Sequence, residues 1–447
     1  MNLQIDAIRE CFEGVIPASA ATCSKDGTPN IAYLSQVNFV DNEHVALSYQ
    51  FFNATRRNIM DNPCVALMVT SPVTMLQYRL RLQYLHTETT GPLFESMKAK
   101  LAGIASHVGM SGVFRLLGAD VCRVLEIEQL PGEGLLAPPQ KRNLLAALRT
   151  CTERLAACAD LDRLLAQTLD SLREYFGVRY AMILMLDEPG KRLYTVASHG
   201  YEASGIGSEI PLGHGVIGVA ARERTPIRIG HMSVEYGYTR AIRDNTRDSN
   251  LANALETEIP FPGLAMPCSQ LAVPILAGPQ LLGVLYVESD KDLSFSWDDE
   301  DALVSLARQL GMAIHILQST ADCGEEEPAA AVAPLAAAGA PVVVRHYRET
   351  DSVFLGDDYL IKGVAGSILW TLLHDYVHRQ RTEFTNRELR LDARLRLPDV
   401  RDNLEARLIL LGKRLVERNA PVRIEKTGRG RFRICVSCPV QLLDTSV

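Results

Sequence analysis

No stretch of this 447-residue chain holds the ~18 consecutive apolar residues that a membrane-spanning helix needs. The opening residues, MNLQIDAIRE, lack the basic patch and apolar run of an export signal, so the expected location is the cytoplasm and no membrane partner is expected. The ten cysteines are scattered, which argues against a disulfide framework. A phosphate-binding Walker loop, a kinase box, a nucleophile with its base and a cluster of metal ligands are all missing. Any chemistry would therefore belong to a bound cofactor, and the chain leans away from being an enzyme. No internal repeat is present.

What remains is an ordinary globular composition, 47 % hydrophobic and 22 % charged, long enough for about three domains. The net charge of −7 hides an asymmetry. Residues 341–447 carry 19 Lys and Arg against 14 Asp and Glu, a net +5, so the rest of the chain is −12. Only the C-terminal end has an electrostatic reason to approach an anionic polymer.

Three segments separate. The first ends at the break Pro131-Gly132-Glu133-Gly134, and helical spacing of leucines begins near Lys141. Asp160 is placed to cap a fresh helix within that run. The second segment ends near Thr320. Residues 321–341, acidic and then rich in Ala and Pro, read as a semi-rigid linker. The expected domains are 1–132, 141–320 and 342–438, in a multidomain α+β chain.

The first segment alternates like half-buried strands over residues 15–70, with turns at Lys25-Asp26-Gly27 and Asp41-Asn42. A short helix stops at Asn62-Pro63, and a long strand, a helix and a final strand follow. The Asp26-Gly27-x-Pro29 hairpin, the paired strands and the helix ending Asn62-Pro63-x-Val65-Ala66-Leu67 resemble the pyridoxamine 5′-phosphate oxidase-like split β-barrel, an FMN-binding fold. The resemblance implies a homodimer with FMN at the subunit interface. It also implies that Tyr33, Ser35, Ser48, Tyr49 and Gln50 line the flavin; the alternative is that they are simply the outward face of alternating strands. Aligned on Asn62-Pro63, the family's phosphate cluster falls on Asn53, Ala54 and Thr55, with the cations displaced to Arg56 and Arg57. Those arginines either reach a phosphate from the first helical turn or are solvated surface charges. The Arg-x-His pair that grips a pyridoxine phosphate has no counterpart near Glu126–Leu130, which argues against oxidation of that substrate. His86 and His107 are read as structural residues rather than haem ligands.

In the second segment a buried strand ends in Pro274, a turn at Ala277-Gly278-Pro279 follows, and a second strand runs over Leu281–Val287. A serine-capped acidic entry, Ser296 to Asp301, then opens a long helix. With the strand near Tyr180 and the glycine-rich helix start at Gly213, Gly215 and Gly218, this resembles a GAF domain, an α/β sensor module, over about Asp160–Leu317. The resemblance implies a small-molecule ligand without naming it. Cys268 lies in the wrong setting for a bilin thioether. The polar insert Tyr236–Pro260, with Arg240, Arg243 and Arg247, is either a lid or a mobile loop, the loop being favoured.

The basic segment reads strand, three helices, hairpin. Thr385 caps the second helix and Leu397-Pro398-Asp399 opens the third, which runs to about Arg418. This resembles the OmpR-type winged helix-turn-helix. The resemblance implies DNA binding, with the third helix in the major groove and the wing on phosphates. The candidates are Arg401, Asn403 and Arg407 on the exposed N-terminal half of the third helix, Lys413 and Arg414 at its basic end, and Arg423, Lys426, Arg429, Arg431 and Arg433 on the hairpin. Asp402 and Glu405 beside them favour the alternative of a protein-contact module. Cys435-x-x-Cys438 reads as two free thiols. Together the segments suggest a one-component transcriptional regulator; a dimeric interaction scaffold or a flavin-dependent oxidoreductase are the alternatives.

Overall fold

The structure, a computed structural model, describes residues 3–14, 16–50, 54–107, 115–136, 142–187, 191–230, 259–321, 341–395, 404–428 and 430–445. The expected insert and linker lie outside the described residues apart from their ends, as do Asn53, Arg401, Asn403 and Arg429. No described helix is long and apolar enough to cross a membrane.

A 3-10 helix, Ile5–Phe12, not anticipated from the sequence, buries Ile5, Ile8 and Phe12. Strands β1 (Ala18–Cys23), β2 (Pro29–Leu34), β3 (Val37–Phe39), β4 (His44–Tyr49), β5 (Cys64–Thr70), β6 (Gln77–Glu88) and β7 (Gly118–Gln129) then form one sheet, ordered β2-β1-β5-β6-β7-β4-β3. Period-two alternation sets its faces. On β5, Val65, Leu67 and Val69 point into the core while Ala66 and Met68 point out. Helix α1 (Ala54–Asp61) ties strands that are not neighbours in this sheet together. Asn30 on β2 donates to the Thr55 hydroxyl at 2.8 Å, Asn58 donates to Thr22 on β1 at 3.2 Å, and Arg56 reaches Asp120 on β7 at 2.5 Å. Helix α2 (Pro92–His107) lays Phe94, Met97 and Leu101 over Ala46 and Ala119.

The second unit opens with α3 (Leu144–Ala156) and α4 (Leu161–Phe176), the latter capped by Asp160, which accepts from the Arg163 amide at 2.9 Å. Strands β8 (Tyr180–Asp187), β9 (Arg192–His199), β10 (Glu209–Pro211), β11 (Ile227–Ile229), β12 (Ser269–Ala277) and β13 (Gln280–Ser289) build a six-stranded sheet ordered β10-β9-β8-β13-β12-β11. Helices α3, α4 and α6 (Trp297–Ala321) contribute to a core on one face, and α5 (Gly215–Glu223) to a second core on the other. With both faces covered, β12 is buried at every position, which is why its sequence shows no alternation. A Cβ at Gly218 would lie 2.3 Å from the Pro211 carbonyl oxygen, so the α5 start requires glycine there. Ser296 and Asp299 cap α6 reciprocally.

The third unit comprises β14 (Val342–Tyr347), β15 (Ser352–Leu355), β16 (Asp358–Ile361), α7 (Gly363–Arg379), β17 (Glu383–Thr385), α8 (Asn386–Leu391), α9 (Leu404–Glu417), β18 (Val422–Gly428), β19 (Arg431–Val436) and β20 (Val440–Thr445). Thr385 and Glu388 form a full capping box. Two strands were not foreseen. β17 adds to the β18–β19 hairpin, and β20 pairs in parallel with β14. The apolar core of this unit is continuous with that of the second, and α9 stands at the join.

Candidate functional sites

The flavin-lining expectation converges on the end of β4. Ser48 is buried, and its hydroxyl accepts from the Gln36 amide and from Gln50 Nε2, each at 3.3 Å. Both polar atoms of the buried Gln36 side chain, and Gln50 Oε1, have no hydrogen-bond partner among the described residues. Leaving such groups unmatched costs about 1–3 kcal/mol each, so this amide cluster suits a polar, planar partner. Gln36 was missed from the sequence; its only signal is its place in the bend between β2 and β3. Tyr49 lies under the Arg56 guanidinium, 4.8 Å from ring centre to cation, and Tyr84 lies 5.5 Å away.

The two arginines differ. Arg56 is spent on Asp120, whose carboxyl burial pushes up in pKa against the pull of Thr87 and Arg56. Thr55 already receives Asn30. Arg57 is exposed, as is Tyr33, 82 % accessible on β2; Ser35 is half-buried. The described residues thus fit a flavin ring better than a flavin phosphate. His86 is exposed and 3.5 Å from Glu88.

The seam between the first and second units is built on Trp297, a residue without any marker in the sequence. Three cations surround its indole: Arg228 at 4.4 Å, Lys100 at 4.6 Å and Arg9 at 5.0 Å. Arg228, 1 % exposed, bridges Glu13 of the first unit at 2.5 Å and Glu300 of α6 at 2.7 Å. Burial opposes its charge, yet the two glutamates hold its pKa above the usual arginine value. Arg9 pairs with Asp301 at 2.7 Å. Burial pushes the Lys100 ammonium down to about 8.

Inside the second unit, Glu288 is 1 % exposed and accepts from the Leu264 amide at 2.8 Å and the Tyr286 hydroxyl at 3.0 Å. Burial, then this carboxylate, raises the pKa of the nearby Tyr201 hydroxyl. Apolar Met182, Ile217 and Ala272 line the same side of the sheet. A buried carboxylate whose donors among the described residues are neutral is an acceptor-rich point in an otherwise apolar core. Burial also raises the Cys268 thiol.

The helix expected to be exposed faces the second unit instead. Arg407 is 4 % exposed and donates to Asp187 at 2.6 Å. Lys413 pairs with Asp162 at 3.2 Å, and buried Arg414 bonds the Leu360 carbonyl and Glu417. The reason is the apolar face of α9: burying Leu404, Leu410 and Leu411 in the joint core carries the arginines inward, where Arg407 meets Asp187 of the neighbour and Arg414 is met within its own unit. On the hairpin, Lys426 pairs with Glu405 at 3.0 Å and Arg433 with Glu425 at 2.7 Å. Arg431 is half-buried and Arg423 exposed. Cys435 and Cys438 are free thiols.

Residues 5–112 match the family model of pyridoxamine 5′-phosphate oxidase, and residues 158–315 match that of the GAF domain. An uncharacterized protein of Methanocaldococcus jannaschii is 39 % identical over 67 residues, 14 % of this chain; the chain spans 45 % of the length of that curated relative. Among solved structures, the GAF domain of an Acinetobacter phosphoenolpyruvate-protein phosphotransferase is 22 % identical, covering 41 % of this chain and 97 % of its own, with a TM-score of 0.31. An FMN-binding protein from Syntrophomonas wolfei subsp. wolfei is 13 % identical, covering 28 % of this chain and 85 % of its own, with a TM-score of 0.24. The chain therefore carries a split barrel of the pyridoxamine 5′-phosphate oxidase type followed by a GAF domain.

Proposed function

We propose that this chain is a cytoplasmic one-component regulator whose barrel and GAF domain sense a flavin-type cofactor or small ligand and whose C-terminal unit, a winged helix of OmpR type, binds DNA. The barrel spans 1–132, the sensor 141–320, the linker 321–341 and the output unit 342 onward, extended from 438 to Thr445 by β20. The observation that carries the reading is the contact of α9. The basic helix of the output unit is satisfied by two aspartates of the sensor, Asp187 and Asp162. Those acids stand where DNA phosphates would, so DNA binding requires α9 to leave the GAF domain. The order of strands, three helices and hairpin supports the winged-helix assignment.

In the barrel, Gln36, Ser48 and Gln50 would hold FMN by its ring, with Arg57 toward its phosphate. The flavin would supply hydride or single-electron transfer. The chain's own groups would orient it and register its redox state through their amides. Exposed apolar residues on the outer face of the barrel sheet, Ile31 at 74 %, Tyr33 at 82 % and Met68 at 39 %, support a homodimer through that face. In the sensor, Glu288 with Tyr286 and Tyr201 would receive a ligand that donates hydrogen bonds.

The test is fluorescence anisotropy with promoter DNA at 50 and 200 mM salt, on the wild type and on the double variant Asp162→Lys, Asp187→Lys. The variant is expected to bind at least tenfold tighter at low salt, with affinity falling as salt rises. No binding by either protein at low salt overturns the DNA reading. The same buried contact favours a second reading, in which the C-terminal unit is a protein-contact module and the chain an interaction scaffold. The oxidoreductase reading would need bound flavin that a nicotinamide donor reduces at catalytic rates.

A further inference from the structure

Between α9, the β18–β19 hairpin and the start of α4 runs a groove of about 480 Å³, a volume suited to a small organic molecule. The apolar part of its walls comes from Ile206 of the sensor, Leu408, Ile409 and Val416 of α9, and Ile424 and Phe432 of the hairpin. We propose that this groove binds a small apolar molecule bearing one anionic group, such as an aryl carboxylate or sulfonate.

The strongest argument is Gly412. It lies inside α9 and lines the groove, with neither a left-handed backbone nor a neighbour that requires it. A Cβ built there would meet nothing within 4 Å. Glycine in a helix interior costs about 1 kcal/mol relative to alanine. Packing among the described residues does not account for that cost, whereas space for a bound molecule does. Leu408, Ile409, Gly412 and Val416 follow helical spacing, so they form one stripe with the glycine at its centre.

Charge selects the ligand class. Each acid on the lining already meets a cation: Asp162 with Lys413, Glu405 with Lys426, Glu417 with Arg414 and Glu425 with Arg433. Arg423 also lines the groove, exposed at its edge and in no ion pair among the described residues, so it is the cation left to meet an anion there. An anionic head at Arg423 with an apolar body over Gly412 matches both features. Because the walls come from two units, an occupant would hold α9 against the sensor. The site does not depend on whether the C-terminal unit binds DNA.

The test uses the full chain and the fluorescent aryl sulfonate 1-anilinonaphthalene-8-sulfonate. The wild type is expected to show one saturable site. Gly412→Phe is expected to weaken binding at least tenfold without lowering the thermal midpoint, since the ring enters open space. Val416→Trp, at a position 66 % exposed, blocks the same groove from its rim and should act alike. Arg423→Glu should weaken the sulfonate at least threefold while leaving uncharged N-phenyl-1-naphthylamine within twofold. Absence of a saturable site in the wild type, or unchanged binding in both blocking variants, overturns the site. Equal loss of both probes in Arg423→Glu overturns the anionic head.

Discussion

Arg407 of α9 donates to Asp187 of β8 at 2.6 Å, and it does so from a position only 4 % exposed. A cation buried this deeply is tolerated because its partner comes with it, so removing one member strands the other. Arg407→Ala is expected to destabilise the full chain by about 3 kcal/mol in urea unfolding. Arg407→Met, which keeps an apolar stem in place of the arginine's, should cost less. Equal, negligible effects from both would show that the contact contributes nothing to docking.

Arg228 poses the same question with two acids instead of one. Arg228→Met leaves Glu13 and Glu300 facing each other beneath Trp297, and a loss of about 3–5 kcal/mol is expected. Adding Glu13→Gln and Glu300→Gln should recover part of that loss, because the stranded charges are gone. Thermal midpoints of the single and triple variants decide it; a triple variant less stable than the single one contradicts the account.

Lys100 gives a pH dependence whose sign is fixed. Burial lowers its pKa from 10.5 to about 8, with Arg228 adding to the shift and Glu300 and Glu13 opposing it. The unfolded chain holds this proton up to about pH 10.4, and the folded chain releases it near pH 8. Folding is therefore penalised in full below pH 8, and the penalty is relieved as pH rises from 8 to about 10.4. The penalty is at most about 3 kcal/mol. Relative to Lys100→Met, wild-type stability in urea should climb between pH 7.5 and 10. A constant difference across that range would contradict the shift.

If the outer barrel face joins two chains, charge placed on it should separate them. Tyr33→Lys with Met68→Lys is expected to turn a dimer into a monomer by sedimentation velocity. Both residues are already solvent-facing in the single chain, so the thermal midpoint measured on the monomer should change little. A wild type that sediments as a monomer at micromolar concentration removes the proposal.

Much of the local structure was readable because caps and period-two patterns are short-range signals. Asp160, Thr385 and Ser296 each stand at the helix starts their side chains announce. The β12–β13 hairpin was legible from its turn. What stayed hidden is long-range. The outward or inward orientation of α9 depends on which neighbour covers Leu410 and Leu411, and nothing in residues 404–417 names that neighbour. Arg407 and Arg414 read as surface cations because arginine is rarely buried; for Arg407, the aspartate that makes burial tolerable lies over 200 positions away. Gln36 and Trp297 belong to no motif and emerge only when the units meet. The β20 strand was overlooked because its exposed Gln441 and Leu443 alternate weakly and its partner, β14, is nearly a hundred residues earlier.

The parallel pairing of β14 with β20 also determines how the C-terminal unit would bear tension. Val342 opens one strand and Thr445 closes the other, and the two lie side by side in the same direction. A pull applied through the linker against the far terminus would load that ladder lengthwise, so its rungs would share the force instead of unzipping one after another. The unit should therefore outlast the α9 contact when the chain is stretched, and would come away from the sensor as an intact body.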